Sequence, residues 1–88
     1  MAERLRLRLY TPVGAVLDAE VDQVTAPGAY GEIGILPKHA ALATTLEAGV
    51  LAYRQGAKTG RVRISGGFAE VRDDVVTVLA DSGETLEG

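Results

Sequence analysis

Arg4-Leu5-Arg6-Leu7-Arg8-Leu9 is the stretch that decides the fold class. Leucine alternates with arginine at a period of two, which in an extended chain sets the leucines on one sheet face and the guanidinium groups on the other. A helix would scatter the same residues around its circumference. Outward from this strand, Tyr10-Thr-Pro-Val-Gly14 ends it, because Pro12 has no N–H for a ladder and Gly14 tolerates a positive φ. Leu17, Ala19 and Val21 then hold one phase, and Val24 arrives three residues later. That slip predicts a bulge inside one strand over 16–25.

The remainder reads as short strands between turn formers. Residues 26–32 form a loop rich in Gly and Pro, followed by a short strand over 33–36 that Pro37 stops. Residues 37–48 favour a helix on local propensity, with proline at the first position, Leu42 and Leu46 four apart, and several alanines. Past Gly49, residues 50–53 and 61–64 flank a flexible tip over 55–60. Ser65-Gly-Gly67 marks a bend, and a second hairpin joins 68–71 to 75–80 through Arg72-Asp-Asp74. Val75, Val76, Val78 and Leu79 occupy both faces, which predicts a last strand covered on both sides. The expected organisation is one all-β domain over 1–81, a sandwich or barrel, with 82–88 as a polar tail or severed linker.

Composition narrows the function. The chain has 88 residues, 47% hydrophobic and 24% charged, enough for one small domain and too few for a two-domain enzyme. It contains no cysteine, which removes disulfides, thiolate metal sites and thiol nucleophiles. A net charge of -3 argues against general nucleic-acid binding. No apolar run reaches the roughly 20 residues of a membrane span, and residues 1–10 do not read as a signal peptide, so a cytosolic chain without direct membrane insertion is expected.

A search for chemistry yields no catalytic or cofactor site and no metal site. Gly31-Glu-Ile-Gly34 and Ser65-Gly-Gly67 lack the Gly-Lys-Ser/Thr of a phosphate loop. His39 is the only histidine, so a usual transition-metal set cannot be assembled, and its simplest role is a backbone hydrogen bond in a loop. Ser65 or Ser82 as a nucleophile would need His39 and a carboxylate in line, which no spacing suggests. Asp73 and Asp74 fit a structural turn, and Arg4, Arg6 and Arg8 fit either a solvated face or a contact for an acidic partner. Lys58 at a hairpin tip raises an alternative, a swinging-arm carrier of the lipoyl or biotinyl type. Its neighbours Ala57 and Thr59 differ from the Asp or Met of those domains.

Three blocks in order carry a family resemblance. Gly31-Glu-Ile-Gly-Ile-Leu-Pro-Lys-His-Ala-Ala-Leu42, followed by Leu46 and Gly49, resembles the signature of the epsilon subunit of F-type ATP synthases. Ser65-Gly-Gly-Phe-Ala-Glu-Val71 and Val76-Thr-Val-Leu-Ala-Asp81 are similar to its second and third blocks. The resemblance implies a flattened β-sandwich of about ten short strands, with residues 37–46 as loop and short strand in place of the helix. It further implies a non-catalytic rotor subunit of the central stalk, on the cytoplasmic face of a bacterial inner membrane, coupling ion-driven rotation to ATP synthesis or hydrolysis. The implied partners are the gamma subunit and the membrane c ring. Carried over by position, Tyr30, Gly31, Glu32 and His39 are the expected c-ring contacts, all at one end of the domain, and Thr11 and Thr44 the expected gamma contacts. The isolated domain should then expose apolar side chains on one face. The helical hairpin that follows the sandwich in most members lies outside these residues, so its ATP-sensing and inhibitory contacts are not assigned to them.

Overall fold

The computed structural model describes residues 3–86. Ten strands follow one another with no helix among them: β1 (Leu5–Thr11), β2 (Gly14–Val21), β3 (Gln23–Gly28), β4 (Gly31–Ile35), β5 (Leu42–Leu46), β6 (Gly49–Gln55), β7 (Lys58–Ile64), β8 (Gly67–Arg72), β9 (Val75–Ala80) and β10 (Gly83–Leu86). Their order is β10-β7-β6-β3-β5-β8-β9-β1-β2, with β4 on the far edge of β3. The architecture is a β-sandwich of two five-stranded halves. One half is β4, β3, β6, β7 and β10, the other β5, β8, β9, β1 and β2, and the single pair Gly28 with Leu46 joins them. Neighbours are antiparallel except β1 and β9, which run parallel.

The alternation of β1 does what its sequence predicts. Leu5, Leu7 and Leu9 are buried, and they meet Val21, Val24, Ile35, Leu51, Val62, Ile64, Val76 and Val78 in one core. No polar side chain is buried among the described residues, so specificity comes from apolar packing and backbone ladders.

Several expectations change. The phase slip near Val24 is a corner: Asp22 bends the chain between β2 and β3, and the actual register shift of this region lies opposite, at Leu9 and Tyr10. Residues 26–32 are a tight hairpin, because Gly28 pairs with Gly31 around Ala29 and Tyr30. Gly31 sits at φ +122, open to glycine and rarely to other residues. The tip expected over 55–60 shrinks to Gly56 and Ala57, since Gln55 pairs with Lys58. Residues 37–46 form a loop and then β5, as the family pattern implies. β9 is covered on one face only: Val76 and Val78 are buried, whereas Leu79 points outward and is 53% exposed. Residues 83–86, expected as part of a frayed tail, form β10 on the edge of β7, while 87 and 88 lie outside the described residues. The Cβ that Gly83 lacks would sit 3.4–3.5 Å from Thr11, Leu9 and Val16, so β10 also closes over the β1–β2 end of the core.

Candidate docking surfaces

Strand direction sorts the turns into two ends. The β1–β2, β3–β4 and β5–β6 turns and the start of β8 share an upper end, because Thr11 to Gly14, Gly28 to Gly31 and Leu46 with Gly67 all fall there. The β2–β3 corner, the 36–41 loop, the β6–β7 turn and the Asp73–Asp74 turn share the lower end.

Tyr30, Gly31 and Glu32 sit together on the β3–β4 tip at the upper end. Tyr30 projects wholly into solvent, and Glu32 stands opposite Pro27 on the outer face. The tip is pinned by Ala29 N–H donating to Thr45 O at 3.0 Å and Glu47 N–H donating to Pro27 O at 2.7 Å. Its two exposed side chains therefore ride on a fixed backbone.

His39 does not join them. β4 carries the chain away from that tip, roughly 15 Å at 3.3 Å per residue, before His39 is reached. Its Nδ1 lies 2.7 Å from Ala40 O, and since a carbonyl only accepts, that nitrogen carries the hydrogen. The loop is held to the opposite end by Lys38 N–H donating to Asp74 Oδ1 at 2.6 Å. The family pattern placed the four residues at one end, and the backbone path separates one from three.

Thr11 and Thr44 are also apart. Thr11 ends β1 at the upper rim, where its hydroxyl accepts from Val13 N–H at 3.3 Å within the β1–β2 turn. Thr44 lies mid-strand in β5, in the inward phase with Leu42 and Leu46, and is half-buried. Lys58 is exposed at the β6–β7 turn.

An outward surface missed by sequence reasoning lies across the β1 half. Phe68 pairs with Thr45 on one side and Leu79 on the other, and Leu79 pairs with Tyr10. Thr45, Phe68, Leu79 and Tyr10 thus form one row across four strands, with Phe68 44% and Leu79 53% exposed. The next row, Glu70, Thr77, Arg8 and Asp18, is polar. The signal was present in Val75, Val76, Val78 and Leu79, since a strand apolar on both faces needs a cover for the second.

The arginine stripe of β1 is occupied by its neighbour. Arg6 Nε donates to Asp18 Oδ1 at 2.6 Å, Arg8 lies 3.8 Å from the same oxygen, and Arg4 reaches Asp22 at 3.1 Å and Glu20 at 3.8 Å. The hydrogen bond and charge of Arg6 hold the Asp18 carboxyl below its ordinary value. Asp22 is lowered too, first by the backbone N–H of Gly56, which donates to Oδ2 at 2.6 Å, then by Arg4. No group of three or more His, Asp or Glu among the described residues could hold a metal ion.

A sandwich with no fully buried polar side chain among its described residues belongs to the class of small all-β domains that work through their surfaces. The family model described as the ATP synthase delta/epsilon chain β-sandwich domain matches residues 4–86, and the chain belongs to that family. It is 50% identical over 87 residues to the ATP synthase epsilon chain of Desulforamulus reducens, covering 99% of this chain and 66% of the relative. With the epsilon chain of Carboxydothermus hydrogenoformans the identity is 48%, covering 99% and 65%. The chain therefore spans just under two thirds of the length of these curated relatives. Among solved structures, it matches a chain of the Euglena gracilis mitochondrial ATP synthase, resolved as OSCP, F1 and c-ring, with a TM-score of 0.88 and 29% identity, covering 93% of this chain and 53% of that one. A Tetrahymena thermophila central stalk and c-ring structure shares the fold, with a TM-score of 0.79 at 20% identity.

Proposed function

We propose that this chain is the docking module of an epsilon-type rotor subunit of an ATP synthase, a coupling part that carries out no reaction itself. The observation that carries the reading is the row Tyr10, Phe68 and Leu79, in which two exposed large apolar side chains stand side by side on neighbouring strands, whereas Val50, the exposed large apolar side chain on the outer face of the other half, faces Arg63. Apolar side chains left in water across three adjacent strands call for a cover, and a gamma subunit packed on this face supplies it. Thr11 follows Tyr10 at the rim and flanks that contact, whereas Thr44, in the inward phase of β5, lies beneath Thr45 on the other side of the sheet and supports the face from within. The c-ring contact is assigned to Tyr30, Gly31 and Glu32 on the pinned upper tip. His39, at the other end, is outside it. The shared identity of the relatives as ATP synthase epsilon chains supports the complex, and the c-ring in the Euglena assembly supports the second partner class. No helix of the described residues is long and apolar enough to cross a membrane, consistent with peripheral attachment on the cytoplasmic face of a bacterial membrane.

Rigidity is the mechanical requirement. A close-packed core between the two halves transmits force with little slack, and one contact on a sheet face plus another on a turn end turns the sandwich into a spacer between moving parts. The swinging-arm alternative around Lys58 is not favoured by the family the chain belongs to. Co-expression with the gamma subunit tests the proposal: the two are expected to co-purify as a stable complex, and failure to associate at low salt would overturn it.

A further inference from the structure

The arginines of the two halves are treated differently. Those of β1 face carboxylates on β2, as described above. On the outer face of β6 and β7, Arg54 and Arg61 have no carboxylate within ion-pair distance among the described residues, and Arg63 reaches only Glu84, at 3.7 Å with both ends exposed. Asp22, whose charge Arg54 feels from the β2–β3 corner, has Oδ1 taken by Arg4 and Oδ2 by Gly56 N–H.

Register brings these two guanidinium groups together. Arg54 is opposite Thr59 and Ala52 opposite Arg61, so Arg54 and Arg61 are diagonal neighbours on one face, about 7 to 8 Å apart at their backbones. Two adjoining depressions lie here. One, about 200 Å³, is lined by Gln23, Thr25, Ala52, Tyr53, Arg54 and Thr59. The other, about 600 Å³, is lined by Ala57, Lys58, Thr59 and Arg61. Thr59 belongs to both, so they form one shallow groove across the lower ends of β3, β6 and β7. Among the described residues its lining holds three cations, the hydrogen-bonding side chains of Gln23, Thr25 and Thr59, and no carboxylate.

We propose that this groove binds a small polyanion bearing linked phosphates, a site separate from both docking surfaces and independent of the rotor reading. Guanidinium groups present planar forks that match phosphate oxygens bidentately, and Lys58 at the rim adds a mobile point charge. The short reach of the groove, three strands wide across β3, β6 and β7, suits a compact oxygen-dense ligand better than an extended acidic peptide. The hydroxyls of Thr25 and Thr59 and the Gln23 amide add donors to phosphate oxygens between the cations.

The test is a titration of the 88-residue chain with inorganic tripolyphosphate at low salt, followed by amide NMR shifts. Expected are shifts concentrated at residues 23, 25, 52, 54 and 58–61, with affinity falling as salt rises. Arg54→Gln combined with Arg61→Gln removes two charges at exposed positions and should weaken binding about tenfold or more, the equivalent of one lost charge-assisted hydrogen bond. Arg6→Gln with Arg8→Gln should leave affinity unchanged. The absence of shifts at millimolar ligand, equal shifts along β1, or unchanged affinity in the Arg54/Arg61 variant would each overturn the proposal. Tighter binding of an oligo-glutamate peptide than of tripolyphosphate would overturn the assignment to phosphate.

Discussion

At the scale of single residues, Gly60 shows how tightly the sandwich closes. A Cβ on Gly60 would lie 2.1 Å from Cζ of Tyr53, so the Tyr53 ring rests on bare backbone across the β6–β7 pair. Gly60→Ala should cost about 1 to 3 kcal/mol in denaturant unfolding, as overpacking does. Most of that cost should vanish in a Tyr53→Ala background, where the clash is absent, so the double-mutant cycle reports a coupling that a propensity effect would not give. Asp22 makes a second test. Its carboxylate holds the β6–β7 turn to the β2–β3 corner through Gly56, beside the Asp22 N–H bond to Arg54 O at 2.7 Å. The folded carboxyl of Asp22 is lowered from an ordinary value of 3.8, and that of Asp18 likewise. A lowered folded value means the stabilisation is present above the unfolded value and is lost as pH falls through the folded one. Urea midpoints measured downward from pH 5 should therefore drop in the acid range, and Asp22→Asn should flatten that drop while lowering stability at neutral pH.

At the scale of elements, what the sequence discloses depends on whether a pattern has one period or two. Leu5, Leu7 and Leu9 fit only a period of two, and β1 is where it should be. Leu42 and Leu46 are four apart, a separation that lies on one face of a helix and equally on one face of a strand, with Thr44 between them. Propensity therefore chose the helix, and the family pattern chose correctly. The corner at Asp22 and the strand β10 were illegible for a different reason. A phase slip does not distinguish a bulge from a bend, and Gly83-Glu-Thr-Leu86 is too polar to announce a strand that owes its pairing to the free edge of β7. Removing residues 82–88 should consequently destabilise the domain, because it uncovers the β7 ladder and the Leu9 and Val16 side chains beneath Gly83. Thermal unfolding unchanged by that truncation would make β10 ornamental. The Asp73–Asp74 turn has positive φ at both positions, 51° and 64°, as a two-residue hairpin of the primed type requires. Asp73→Gly should stabilise by up to about 1 kcal/mol by relieving that strain. Asp74→Gly should gain less, since it also loses the acceptor for Lys38 N–H.

For the molecule as a whole, the sequence disclosed the family through its ordered blocks, whereas the surfaces depended on how strands stack. Which residues share an outer row is a matter of register, so the Thr45, Phe68, Leu79 and Tyr10 strip and the separation of His39 from Glu32 emerged only with the fold. At the upper tip, Glu32→Lys in the assembled complex should weaken coupled proton pumping while leaving the fold intact, whereas His39→Ala, at the far end, should leave pumping unchanged. The apolar strip is the proposed gamma-docking face. Titration calorimetry of the gamma subunit with this chain and its Leu79→Asp variant tests it most directly, with the exposed Arg72→Glu as control. Leu79 is already about half covered, so burying the rest is worth about 0.8 to 1.5 kcal/mol, and a carboxylate in its place adds a desolvation cost, so the variant should bind at least about tenfold more weakly while the control binds as wild type. Equal affinities for wild type and Leu79→Asp would mean that gamma docks elsewhere.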